Sequence, residues 1–209
     1  KDVYRVVCSE NQKLYPGQVF VDFMPAGQSR QENCLNHDAI LQMRRTINPG
    51  VDSVENGLIL TQATDITIDL GSASLEIIPS PGNDYSSLND YSICAYLTCG
   101  DTSFFFTGDA SKPEEKDLLR SGALDGIQAD VLKVGHHGSR ESSTADFLAQ
   151  LQPSYAVISC GAGNSYGHPH SEAVERLKQY CGDQIWRTDE SGTVTIQSDG
   201  ASLTVSTEK

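Results

Sequence analysis

The sequence predicts an α/β fold of stacked strand and helix layers, on three observations. Strand-like segments dominate the first part and then give way to alternating strands and helices. Antiparallel hairpins bracket that alternation. Three apolar strands end abruptly in carboxylate or imidazole side chains. In layered α/β folds such carboxyl ends line the crevice where chemistry happens.

The elements follow in order. VYRVV (3–7) and QVFVDFM (18–24) read as strands. Asn36 can cap a helix with Ile40, Met43 and Ile47 on one face, closed by Asn48, Pro49 and Gly50. Residues 66–79 read as a hairpin around a Gly-Ser turn, and 79–90 as a loop by their Pro, Gly, Asn and Ser content. YSICAYLT (91–98) and SFFFTGD (103–109) form a second hairpin. S-K-P-E (111–114) is the pattern of a capping box, with a helix to about Arg120 and Gly122 beyond it. VLKVG (131–135) reads as a buried strand, and S-T-A-D (143–146) opens a helix. YAVISCG (155–161) is the next strand, and a helix runs from Ser171 to the stop at Cys181 and Gly182. IWRTD, TVTIQ and SLTVS end the chain as strands, the last two joined at Asp199 and Gly200. Asp189 and Glu190, in the TDESG turn, are expected in solvent.

Composition narrows the function. A chain of 209 residues suits one domain, expected over 1–209. The net charge of −13 disfavours general adhesion to phosphate backbones, although a bound cation can reverse the field inside one pocket. No apolar run approaches the roughly 20 residues of a membrane helix. The six cysteines include no C-x-x-C pair, so a thiolate zinc ribbon is not expected. Cys94 and Cys160 lie in apolar runs and read as core residues.

The three strand ends carry the chemistry. The first ends in Asp109, the second in His136 and His137, and the third leads through GAGNSYGHPH to His168 and His170. Carboxylate with imidazole is a ligand set for zinc, manganese or iron. Asp109 can instead cap the following helix, but Ser111 is the better cap. Gly135 and Gly138 flank the His pair and permit close backbone approach. On an extended segment the two imidazoles would point to opposite sides, one to a metal and the other to substrate or to the groups that support the metal ligands. Pro169 holds His168 in an extended backbone, as a ligand, a general acid or a phosphate contact. His170 reads as structural. Lys133 lies in a buried strand, either paired or reaching the sheet edge. Asn89 and Asp90 open the strand before Asp109, as a plain turn or as further site residues.

The blocks NDYSICAYLTCGDTSFFFTGDA, ADVLKVGHHGSRESST, YAVISCGAGNSYGHPHSEAVERL and WRTDESGTVTI resemble the metallo-β-lactamase fold hydrolases. Within them the chain looks most like the soluble C-terminal domain of ComEC-type competence proteins and their free-standing relatives. The resemblance covers about 89 to 196 and, more loosely, 36 to 80. It implies an αββα sandwich with a well-matched second half (89–209) and a divergent or incomplete first half (1–88). It implies a divalent metal, zinc first and manganese second, activating water against an ester or phosphodiester. Carried over residue by residue, Asp109 matches the bridging aspartate. His136 or His137 matches the late histidine ligand, with His136 preferred for metal and His137 for substrate or proton transfer. His168 matches the loop of the subgroup, and Asn89 or Asp90 falls where many members place another histidine.

One departure is large. The family motif H-x-H-x-D-H, or H-x-D-x-D-H, is absent, and no histidine precedes His37. The expectation is a fragment whose partner segment carries the missing ligands, or an intact divergent member with half a site. Two functions follow. One is a metal-dependent hydrolase of phosphodiesterase or nuclease type, acting on a small ester, as the acidic surface favours, or on single-stranded DNA during competence and DNA uptake, as the resemblance favours. The other is a scaffold or binding domain with a degenerate site. The resemblance also leans toward an extracytoplasmic location.

Overall fold

The structure, a computed structural model, describes residues 66–82 and 84–209, together with the backbone of four earlier strands. Those four are β1 (Arg5–Val7), β2 (Val19–Phe23), β3 (Asp52–Glu55) and β4 (Leu58–Thr61). The helix expected from Asn36 and the ordinary histidine His37 lie outside the described residues.

Two hairpins lead into the α/β part. β5 (Ile66–Asp69) and β6 (Ala73–Ile78) pair antiparallel around Gly71 and Ser72, as expected. β7 (Cys94–Cys99) and β8 (Thr102–Phe106) form the second hairpin. Helices α1 (Lys112–Ser121), α2 (Ala145–Leu151) and α3 (Ser171–Cys181) then alternate with β9 (Val131–Lys133), β10 (Tyr155–Ile158) and β11 (Ile185–Arg187). A helical turn α4 (Thr188–Ser191) leads to the hairpin of β12 (Val194–Ser198) and β13 (Leu203–Thr207).

One seven-stranded sheet runs β11-β10-β9-β8-β7-β6-β5. It is parallel from β8 to β11, where each connection carries a helix, and antiparallel from β8 to β5, where hairpins suffice. A second sheet runs β1-β2-β12-β13.

The pleat explains the layering. Successive side chains of β8 face opposite ways. Phe105 packs into a core with Leu118 of α1, Phe147 and Leu148 of α2, and Leu177 of α3. Phe104 and Phe106 pack instead with Leu97, Val131 and Val157, and with Val194 and Ile196 of the second sheet. One face of the large sheet is thus roofed by helices and the other by the second sheet. Burying one such phenylalanine contributes about 2–3 kcal/mol. These are three layers of the αββα sandwich.

Local rules fail at two places. Ser111 occupies the N-cap of α1, but its side chain makes no capping bond. Its Oγ and its backbone N–H donate to Asp90 Oδ1 instead, at 2.5 and 3.1 Å. Glu114 does not reach back to complete a box; its Oε2 accepts from the backbone N–H of Ser92, at 3.2 Å. A carboxylate brought in from a distant turn replaces the local cap. Asp189 is also not in free solvent. Arg187 donates to both its oxygens, and the Cys160 thiol donates to it at 3.2 Å.

Candidate functional site

The carboxyl ends of β8, β9 and β10 lie side by side, so the three strand-end segments converge. After β8 the chain turns tightly, with Ala110 N donating to Thr107 O at 3.1 Å. Gly108 makes this turn at φ 56°, and a Cβ there would meet Ser92 Oγ at 3.0 Å. Ser92 Oγ accepts from the backbone N–H of Asp109 at 3.0 Å and donates to Asn89 O at 2.7 Å. The Asn89–Ser92 segment is therefore tied to the Asp109 turn.

After β9, GHHG forms a tight turn rather than continuing as an extended strand. His136 and His137 both lie in the left-handed region, at φ 45° and 55°. The expected opposition of the two imidazoles does not arise, because the backbone is not extended there. Such conformations cost on the order of 1–3 kcal/mol each and persist where surroundings enforce them. The enforcing contacts are visible. His136 N donates to Gly108 O at 3.2 Å and Ser139 N to His136 O at 2.9 Å. Gly138 presses on Pro169, where an added Cβ would stand 2.6 Å from Pro169 Cβ. His170 N donates to Gly138 O, and His170 Nδ1 accepts from Arg140 N at 3.0 Å. His170 thus locks one loop to the other.

The rings gather as a result. His136 and His137 have centroids 6.4 Å apart, His136 and His168 5.5 Å, and His137 and His168 6.3 Å. Asn164 braces the third loop, donating to His168 O at 2.6 Å and accepting from His168 N at 3.0 Å. Partial burial holds the His168 imidazole down at about 4, helped by the neighbouring His170, His136 and His137 rings. At neutral pH it is an uncharged ring.

The two adjacent histidines differ in partners. Asn89 Nδ2 donates to His136 Nε2 at 3.3 Å, which leaves the buried His136 Nδ1 without a hydrogen-bond partner among the described residues. His137 Nδ1 donates to the backbone carbonyl of Ser159 at 2.7 Å. That bond fixes the tautomer and turns the Nε2 lone pair toward Asp109 Oδ1, 3.7 Å away. With the imidazole neutral, Nε2 and Oδ1 are two facing acceptors that invite a cation between them; with it protonated they form an ion pair.

A divalent cation can be tested against these donors. Two atoms each about 2.1 Å from one zinc stand roughly 3.4 Å apart at a tetrahedral angle. The His137–Asp109 pair fits with a small adjustment, and the carbonyl-bonded Nδ1 is the usual outer support of a metal-binding imidazole. Among the described residues, however, no group of three His, Cys, Asp or Glu side chains could hold a metal. The donors fit one edge of a metal site.

The other expected residues separate. Asn89 points into the cluster, whereas Asp90 is buried beneath it on Ser111. Lys133 is fully buried and follows the alternation of Val131 toward the interface between the sheets. Sequence reasoning missed Ser92, Ser159 and Glu114 as supports of the cluster. Their signal lies in long-range backbone contacts that no local pattern carries.

Residues 80–162 match the Metallo-beta-lactamase superfamily model. The chain is 33% identical over 157 residues, 75% of its length, to ComE operon protein 3 of Bacillus subtilis (strain 168), of which it covers 19%. It is 35% identical over 120 residues to Recombination protein 2 of Haemophilus influenzae, covering 57% of this chain and 15% of that one. It is 37% identical over 107 residues to Competence protein ComA of Neisseria gonorrhoeae, covering 51% and 15%. The chain spans less than a fifth of the length of these relatives.

Proposed function

The chain has the metallo-beta-lactamase fold, with residues 80–162 matching that superfamily, and from that premise we propose that it is the hydrolytic part of a metal-dependent esterase or phosphodiesterase of ComEC type. The observation that carries the reading is His137 Nε2 facing Asp109 Oδ1 at 3.7 Å, with Nδ1 anchored on Ser159 O. In this reading His137 and Asp109 hold a divalent cation, zinc first and manganese second. The role preferred for His136 passes to its neighbour. A bound cation would supply charge neutralisation and a more acidic water for attack on the ester.

The chain's own residues do the rest. Asn89 orients His136 by donating to its Nε2. His168, uncharged at neutral pH, donates its ring N–H to a phosphoryl oxygen and steadies the charge that builds there. Asp109 is held in place by Ser92 through its backbone N–H. The remaining metal ligands come from a segment bearing H-x-H-x-D-H. The substrate is a small phosphodiester or a single DNA strand, and the name of one relative, Competence protein ComA, favours the strand.

A second reading is a scaffold with a degenerate site. It is favoured by the lack, among the described residues, of any three-ligand group. Elemental analysis separates the two, run on the purified chain and on an Asp109→Ala, His137→Ala double variant. The hydrolase reading expects near-stoichiometric zinc or manganese that the variant loses. It also expects turnover of bis-p-nitrophenyl phosphate that falls at least a hundredfold in the variant. Equal metal content in both proteins, with no turnover, would leave the scaffold; no metal in either would show that this chain alone does not hold the cation, leaving either the scaffold or a half-site that needs the H-x-H-x-D-H segment.

A further inference from the structure

Four large hydrophobic side chains are exposed among the described residues: Leu88, Tyr91, Ile93 and Tyr166. Isolated exposed apolar residues need no explanation, but a grouping does. All four sit in two loops, 88–93 and 163–170. Asn89 of the first and His168 of the second both meet the His136 ring. The exposed apolar surface is therefore gathered at the mouth of the imidazole cluster.

Tyr166 is ordered against that cluster. Its ring stacks on His168 at 5.7 Å and 20°. His168 in turn stacks on His137 at 6.3 Å and 23°. The three rings form a column that starts beside Asp109 and ends at the tyrosine. Tyr166 is 77% exposed, so its ring remains open to water beyond the His168 contact. Asn164 holds the loop by hydrogen bonds to Gly161 O and to both backbone groups of His168, so the column is built before any ligand arrives. An open ring at the end of a stack accepts another flat ring, and every nucleobase offers one.

We propose that Tyr166 is a stacking platform for an unpaired nucleobase adjoining the phosphodiester that the site addresses. This deepens the phosphodiesterase reading and rests on it for the position of the phosphate. A paired base hides its faces in the duplex, so the platform selects single strands. Tyr166 positions the substrate and takes no part in proton transfer.

The test measures binding without turnover. Fluorescence anisotropy in zinc-containing buffer follows a labelled phosphorothioate oligothymidylate, which resists cutting, and an abasic phosphorothioate strand with the same number of phosphates. The wild-type chain is expected to hold oligothymidylate about tenfold tighter than the abasic strand. Tyr166→Ala should erase that difference and leave abasic binding unchanged, whereas Tyr166→Phe should keep it. Circular dichroism checks that both variants fold. Equal affinity for the two strands, no binding of either, or a Tyr166→Ala chain that keeps the preference would overturn the proposal. The metal assay above is independent. A chain that binds metal but ignores bases loses only the platform, and one that prefers bases but holds no metal loses only the hydrolase.

Discussion

Glu114 and Glu115 are neighbours on α1 and are equally buried, yet they serve different regions. Glu115 turns toward the start of α2, where its two oxygens accept from the backbone N–H groups of Ser143 and Thr144 at 2.5 and 2.8 Å. It holds the backbone that leads into the second helix, just ahead of Ala145. Glu114 turns the other way, toward the floor of the imidazole cluster. One oxygen accepts from Ser92 N, and the other has no partner among the described residues. Burial raises both carboxyls, and Glu114 rises to about 8, with Asp90 and Glu115 adding to the effect. The pair teaches that burial alone does not assign a role. The satisfied carboxyl builds the frame, and the half-satisfied one sits under the chemistry.

The largest effect expected from breaking this contrast is that of Glu115→Ala. It orphans two buried backbone donors at a helix start and should cost about 3–5 kcal/mol. Urea unfolding with an unchanged slope would show it, and a loss below about 1 kcal/mol would mean that water replaces the carboxylate.

Glu114→Gln should sharpen the contrast through pH. The folded chain holds the Glu114 proton up to about pH 8, whereas an unfolded carboxyl releases it near 4.5. Stability from this group is therefore complete below pH 4.5 and is lost as pH rises through 8. Relative to wild type, the glutamine variant should gain on the order of 3 kcal/mol between pH 5 and 9. Parallel stability curves over that range would refute the assignment.

Ser92→Ala is the smallest change. It removes the hydroxyl that accepts from Asp109 N and donates to Asn89 O. Stability should fall by about 1 kcal/mol, a Tm shift of roughly 2–4 °C. Turnover of bis-p-nitrophenyl phosphate should fall more than tenfold, because Asp109 loses its anchor. A variant with wild-type turnover would show that the anchor is dispensable.

Much of the fold was legible in the sequence. The SFFFTGD run was legible as a strand of the second hairpin, and the Gly-Ser and Asp-Gly turns marked theirs. Asp109, His136, His137 and His168 were legible as a group because each ends an apolar segment. Their arrangement was not. Whether two adjacent imidazoles oppose or gather depends on backbone handedness. Here that is set by Gly108 and Pro169, 28 and 32 positions from the nearer histidines in sequence. The S-K-P-E pattern misled for the same reason. A capping box is a contest between local and distant partners, and Ser92, 22 residues away, won Glu114.

The left-handed turn at His136 and His137 also limits how this site can drift in evolution. Beyond glycine, the side chains that tolerate such a backbone best are asparagine, aspartate and histidine itself. Branched aliphatic residues are excluded by the backbone before any question of function arises. The mutational neighbourhood of the pair is therefore enriched in other oxygen and nitrogen donors. A lineage wandering at these two positions would tend to exchange one ligand chemistry for another before it lost the site.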